Sequence, residues 1–167
     1  YSSEIINGDS VFDFDVTKLS VNTLALGLAG IEVYDILRDQ YDIQTEFGDL
    51  GNFLAYISLG DKTKHIERLI SALCDIRRRY KRERTGMLET EYITPEVVTS
   101  PQKAFYANKR SVRLEDCEGG VCGEFVMSYP PGIPILAPGE RVTAELLHYI
   151  RYARLKGCLL TGPESMD

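Results

Sequence analysis

Glu46 closes the run Tyr41-Asp42-Ile43-Gln44-Thr45-Glu46 and is followed at once by Phe47-Gly48-Asp49-Leu50-Gly51-Asn52. A carboxylate at a strand end, beside a tight loop, sits where functional side chains are often mounted. Its chemistry there is capture of a cation through charge-assisted hydrogen bonds. On the residues alone, an exposed glutamate at a strand edge is the plainer reading. The other candidates are thinner. The two histidines, His65 and His148, both fall on expected helices, and neither has a nucleophile or a second base at a catalytic spacing. Gly27 and Gly30 precede a helix, but two glycines at that spacing are weak grounds for a phosphate loop. Gly119-Gly120 lacks the Gly-Lys-Ser/Thr that completes a P-loop.

Cysteines 74, 117, 122 and 158 offer no metal-ligand spacing: four residues separate Cys117 from Cys122 rather than two, with only two histidines to complete a site. Free thiols are expected, with Cys74 buried on the apolar face of a helix. The basic run Arg77-Arg78-Arg79-Tyr80-Lys81-Arg82-Glu83-Arg84 admits two readings, a patch for RNA or phosphate and a solvated helix end whose cations complement the helix dipole. The net charge of −6 favours the second and argues against nucleic acid or an anionic membrane as the main partner.

These residues need elements to hold them. Residues 14–23 alternate as a strand, and Ile31, Tyr34, Leu37 and Tyr41 recur at helical spacing over 30–41. Residues 42–46 and 53–59 read as strands separated by turn chemistry. A helix over 62–84 follows, with Asp61 as its N-cap and Ile66, Leu69, Ile70, Leu73, Ile76 and Tyr80 as its apolar stripe. The order is β-α-β-β-α, an α+β unit whose antiparallel or mixed sheet is covered by helices. After a connecting arm over 85–99, a second small α+β unit is expected. It has a helix at 101–108 opened by Ser100-Pro101, strands at 111–114 and 121–129, a helix at 142–156 ended by Gly157, and an edge strand at 158–161. The expected domains are 1–86 and 87–167.

Four of the seven prolines fall at 130, 131, 134 and 138. Proline fixes φ and removes a donor, so residues 129–140 read as a stiff turn, a short apolar strand, and a second turn at Pro138-Gly139 that opens a helix. A chain of 167 residues with 44% hydrophobic content can bury a sizeable core. No apolar run reaches the roughly 18 residues of a membrane span, and a cytoplasmic protein without a membrane partner is expected. The chain opens at Tyr1 rather than Met and is expected to be a piece of something longer.

Asp15-Val16-Thr17-Lys18-Leu19, Gly27-Leu28-Ala29-Gly30-Ile31, the run from 41 to 46, Ile57-Ser58-Leu59-Gly60-Asp61 and residues 129–140 stand in a telling order and spacing. The pattern covers about residues 12–162. It resembles the small domain and C-terminal domain of bacterial ornithine/lysine/arginine decarboxylases of the shorter Gram-positive type. The resemblance implies an enzyme of the aspartate-aminotransferase fold type that depends on pyridoxal phosphate, held as a Schiff base by a lysine after a Ser-x-His motif. No His-Lys pair occurs here, since His65 precedes Ile66 and His148 precedes Tyr149. The cofactor domain is therefore expected upstream, and this chain alone is expected to be inactive, with no cofactor-binding, metal-binding or catalytic residue of its own.

The resemblance places Glu46 in the substrate pocket, facing the distal ammonium or guanidinium of the substrate, with Asn52 as a weaker second candidate. Residues 129–140 would brace the C-terminal domain against the small domain, Glu140 without a catalytic role. The implied reaction converts arginine, lysine or ornithine to agmatine or a diamine plus carbon dioxide, in a homo-oligomer of two or more subunits. The competing expectation is a non-catalytic dimerisation or assembly module of the same shape.

Overall fold

Two helices bury one face each against a single small sheet in the first part of the chain, and a second sheet with its own helices forms from the rest. The computed structural model describes residues 3–83, 93–129 and 131–163. The chain divides into two compact units, 1–84 and 85–167.

In the first unit the order is β1 (Lys18–Asn22), α1 (Gly30–Tyr41), β2 (Phe47–Gly48), β3 (Asn52–Tyr56) and α2 (Thr63–Tyr80), with a 3-10 turn at Leu24–Leu26. The sheet is antiparallel in the order β1-β3-β2, with Leu19 opposite Ala55 and Val21 opposite Phe53. Leu28, Val33, Leu37, Phe53, Ala55, Leu69, Ala72 and Ile76 form its core, which Val21, Leu26 and Tyr41 flank. Burying a side chain such as Phe53 contributes about 1.5–3 kcal/mol, so this cluster is what holds both helices to the sheet.

Several expectations are corrected in this unit. The strand expected at 42–46 is irregular. Asp42 takes a left-handed conformation, φ 51°, as the C-cap of α1, and pairing begins only at Phe47. β1 and β3 are shorter than the alternation suggested. Helix α2 is capped by Lys62, not Asp61. The Asp61 carboxylate instead accepts the Ser58 N–H at 2.8 Å and the Ser58 hydroxyl at 3.1 Å, while the Lys62 N–H donates to His65 Nδ1 at 3.3 Å. Cys74 is exposed rather than buried, and Ile70 is 56% exposed. Leu69, Ala72 and Ile76 define the inward stripe, and position 74 lies about 200° round the helix from both 72 and 76.

In the second unit, α3 (Pro101–Tyr106), β4 (Val126–Tyr129), β5 (Ile133–Leu136), α4 (Ala144–Leu155) and β6 (Leu159–Thr161) follow, with the antiparallel sheet order β5-β4-β6. Ser100 caps α3 by accepting the Lys103 N–H, and Pro101 occupies its first turn. Leu136, Val142, Leu146, Leu147, Ile150, Ala153 and Leu160 are buried. Residues 111–114 form no strand, and a 3-10 turn at Leu114–Asp116 stands there instead. Neither does Pro138-Gly139 open a helix. Gly139, at φ 94°, sits so close to Thr99 that a Cβ would lie 2.3 Å from its carbonyl oxygen. Its carbonyl accepts the Val98 and Thr99 N–H groups, and its own N–H reaches the Cys122 carbonyl. Helix α4 starts five residues later, where the Thr143 hydroxyl accepts the Leu146 N–H at 3.3 Å. The far half of the arm expected at 85–99 is thus paired: Val97 bridges Glu140, and Arg141 bonds Glu96.

Candidate functional site

The hairpin between β2 and β3 and the segment leading into it hold both residues singled out from sequence. Asp49 builds the turn. Its carboxylate accepts the Gly51 N–H at 2.8 Å and the Asn52 N–H at 2.7 Å, while its own N–H reaches the Asn52 carbonyl at 2.9 Å. The Asp49 carbonyl takes the Ile31 N–H at 2.7 Å, satisfying one of the donors that a helix start leaves unpaired. The hairpin is therefore welded to the start of α1.

That weld requires glycine at two places. A Cβ on Gly30 would lie 1.8 Å from the Asn52 carbonyl oxygen, and one on Gly48 would lie 2.6 Å from the Gly30 carbonyl oxygen. On the other side, Gly51 is tied to Thr23, the residue that follows β1. Its carbonyl accepts the Thr23 N–H at 2.9 Å, and the buried Thr23 hydroxyl bridges the Leu28 and Gly51 carbonyls. The Leu26–Gly27 turn before α1 is held by Arg82, whose backbone N–H reaches Leu26, whose Nε reaches the Gly27 carbonyl and whose Nη2 pairs with Glu32. The basic run is thus in part a local brace. Arg78 and Arg79 bond Asp75, and Arg84 lies outside the described residues.

Glu46 stands one residue before β2. Its N–H donates to the Leu54 carbonyl at 2.8 Å, and Leu54 is also the residue opposite Phe47. Two residues of one strand thus address one of the other, a bulge-like step that ends the ladder. The Glu46 side chain is exposed, and among the described residues no hydrogen bond or ion pair engages its carboxylate. Thr45, its neighbour, is 6% exposed, and its buried hydroxyl finds no partner among the described residues. The carbonyl between them accepts the Gln44 Nε2 at 2.9 Å, and the same Nε2 donates to the Tyr34 hydroxyl of α1 at 2.8 Å. Asn52 is half-buried at the first position of β3, opposite Asn22, whose Nδ2 donates to its Oδ1 at 3.2 Å.

So the hairpin carries Glu46 and Asn52 at its two ends, with Glu46 presented to solvent and Asn52 tied to β1. Sequence reasoning missed Gln44 and Tyr34, because their contact joins a loop to a helix ten residues away. The Asp49-Leu50-Gly51-Asn52 turn was legible from its residue types.

Elsewhere the described residues offer no group of three or more metal-ligating side chains. His65 and His148 are exposed on helices. Burial pushes the Cys117 and Cys122 thiols up from their ordinary values, and each donates to a nearby carbonyl, Leu114 and Glu124 respectively. Thiols so placed are poor nucleophiles. The Glu140 carboxylate accepts the Ala137 N–H at 2.7 Å and serves the turn after β5. No helix among the described residues is long and apolar enough to cross a membrane.

Residues 82–160 match the family model described as Orn/Lys/Arg decarboxylase, C-terminal domain. The chain is 37% identical over 165 residues to the arginine decarboxylase of Bacillus subtilis, an alignment covering 97% of this chain and 34% of that protein. It is 25% identical over 142 residues to the constitutive lysine decarboxylase of Escherichia coli, covering 81% of this chain and 19% of that protein. The crystal structure of the Francisella novicida lysine decarboxylase shares the fold, with a TM-score of 0.63 at 21% identity over 91% of this chain and 30% of that one. The chain spans about a third of the length of the arginine decarboxylase it matches. With the family's C-terminal domain matched over residues 82–160 and decarboxylase relatives aligning with almost its whole length, the chain corresponds to a C-terminal part of an Orn/Lys/Arg decarboxylase.

Proposed function

We propose that this chain is the substrate-side part of a basic amino acid decarboxylase, and that Glu46 receives the distal cation of the substrate. The observation that carries this reading is a carboxylate left exposed and unengaged among the described residues, on a backbone fixed on both sides. A cation entering a partly desolvated pocket needs a partner, because a buried unpaired charge is costly. A carboxylate meets a guanidinium with two parallel bonds and an ammonium with one. Arginine is the first substrate to test, given the 37% identity to an arginine decarboxylase against 25% to a lysine decarboxylase. The product would be agmatine, or a diamine from lysine or ornithine. Asn52 is the second substrate-side residue, with a smaller expected effect because it also ties β3 to β1.

Pyridoxal phosphate, when bound, supplies the electron sink for loss of carbon dioxide. The lysines of this chain do not fit as its anchor. An amine that forms an imine must be held without its proton, which requires shielding from water. Lys18, Lys62, Lys64, Lys81, Lys103 and Lys109 are exposed, and half-buried Lys156 lies over the Tyr152 ring. Lys18 is moreover paired with Asp15, which pushes its pKa up. The anchor accordingly belongs to polypeptide outside this chain, and the contribution of this one is to bind and orient the substrate.

The test is carbon dioxide release from arginine, lysine and ornithine by the full-length protein with pyridoxal phosphate, wild type beside Glu46→Gln. Loss of a hydrogen bond to a charged group amounts to about 1.5–3 kcal/mol, so a fall of roughly ten- to a hundredfold in kcat/KM is expected at 1.4 kcal/mol per decade. Turnover unchanged in the Gln variant would remove Glu46 from the pocket. No turnover of any of the three by the wild type would overturn the decarboxylase reading and favour an assembly module.

A further inference from the structure

We propose that Gln44 is a positioning residue for Glu46, and that it tunes the pocket for a planar guanidinium over an ammonium. This rests on the substrate-side reading of Glu46. The Thr45–Glu46 peptide has both polar groups engaged. Its N–H donates to the Leu54 carbonyl at 2.8 Å, and its carbonyl accepts Gln44 Nε2 at 2.9 Å. The second Nε2 hydrogen goes to the Tyr34 hydroxyl at 2.8 Å, so the carboxamide is held by a helix rather than by its own loop. The Tyr34 ring in turn lies 5.5 Å from the guanidinium of Arg38, which is paired with Asp35 and Asp39. The Thr45 side chain beside this peptide is itself buried.

An exposed side chain ordinarily needs none of this. A side-chain amide spent on the backbone carbonyl just before it fixes the peptide plane from which Glu46 projects. Without Gln44 the carbonyl can turn to water and the peptide can rock about its remaining bond to Leu54. A bidentate pair with a guanidinium depends on the orientation of the carboxylate plane, whereas a single ammonium accepts a wide range of approaches. Loosening the peptide should therefore weaken arginine more than lysine.

The experiment uses the full-length protein with Gln44→Ala, Tyr34→Phe, Glu46→Gln and the Gln44→Ala/Glu46→Gln double variant, read as KM and kcat for arginine and lysine. Removal of one neutral hydrogen bond predicts a rise of about two- to tenfold in KM for arginine, a smaller rise for lysine, and kcat within about twofold. Tyr34→Phe, which keeps the Gln44 side chain and removes only its second partner, should move KM in the same direction by less. It stands in if Gln44→Ala fails to fold. In the Glu46→Gln background the Gln44→Ala effect on KM should vanish, because residues that act through one another are not additive. A Gln44→Ala rise of equal size in both backgrounds would show a general structural role and overturn the proposal. So would a KM unchanged in Gln44→Ala and Tyr34→Phe while Glu46→Gln raises it. If Glu46→Gln itself leaves KM and kcat/KM unchanged, the substrate reading has failed, and the proposal falls with it.

Discussion

Thr45 and Glu46 are chain neighbours with opposite surroundings, one 6% exposed and the other open to solvent. The chain bends at Glu46, between the buried Thr45 and the first paired residue, Phe47, and Glu46 is the one left facing solvent. Charged residues that are spoken for behave differently from Glu46. Asp75 on α2 receives the Tyr41 hydroxyl of α1 at 2.6 Å and bonds to Arg78 and Arg79. The Tyr41 hydroxyl first, then the arginines, hold its carboxyl below the ordinary carboxylate range. A lowered folded pKa gives stability that is fully present above the unfolded value, about 3.9, and is lost as pH falls through the folded one. Asp75→Asn should therefore lower the urea midpoint by a constant amount from pH 7 to pH 5, with the gap to wild type closing below about pH 4. A gap that persists unchanged to pH 2 would mean that the ionised form of Asp75 contributes nothing.

At the scale of elements, the decisive contact is the start of α1 on the β2–β3 hairpin. The approach is so close that Gly30 has no room for a methyl group, and the atom it would strike is a backbone oxygen rather than a flexible side-chain tip. Gly30→Ala must push the hairpin off the helix or rotate the Asn52 peptide. A cost of about 3 kcal/mol is expected from the forced shift, measured as a lower urea midpoint with the slope unchanged. Wild-type stability in that variant would mean that the hairpin is free to move, and Glu46 would then lack a fixed platform. In the second unit, residues 138–142 have the same architectural character. Gly139 and Arg141 bond segments 96–99 and 119–122, drawing three stretches of chain together. The rigidity read from the prolines is thus used inside this unit.

At the scale of the whole molecule, each unit has its own sheet and its own buried apolar residues, yet the chain spans only about a third of the arginine decarboxylase it matches. With a carboxylate to receive a cation and no lysine fit to anchor the cofactor, division of labour between this part and the rest follows as our proposal. The expected outcome is that the chain of residues 1–167 releases no carbon dioxide from arginine, lysine or ornithine with pyridoxal phosphate present, while the full-length protein does. Release by residues 1–167 alone would mean that one of the seven lysines serves after all, and each could then be replaced in turn.

The sequence by itself determined the order β-α-β-β-α, the span of α1 from the spacing of Ile31, Tyr34, Leu37 and Tyr41, the Ser100-Pro101 helix start, and the turn after α4 at Gly157, whose φ is 89°. All of these are short-range matters of periodicity, capping and turn chemistry, settled within about a helical turn or two. The motifs that carried the family resemblance were legible for the same reason, since they need only order and spacing. Tertiary structure alone decided that pairing begins at Phe47 rather than at Asp42, that Cys74 faces solvent, that Pro138-Gly139 serves a junction instead of a helix, and that Gln44 is held by Tyr34. Each depends on a partner elsewhere in the chain, and local propensity does not encode which distant backbone oxygen or helix face will be within reach once the core has closed.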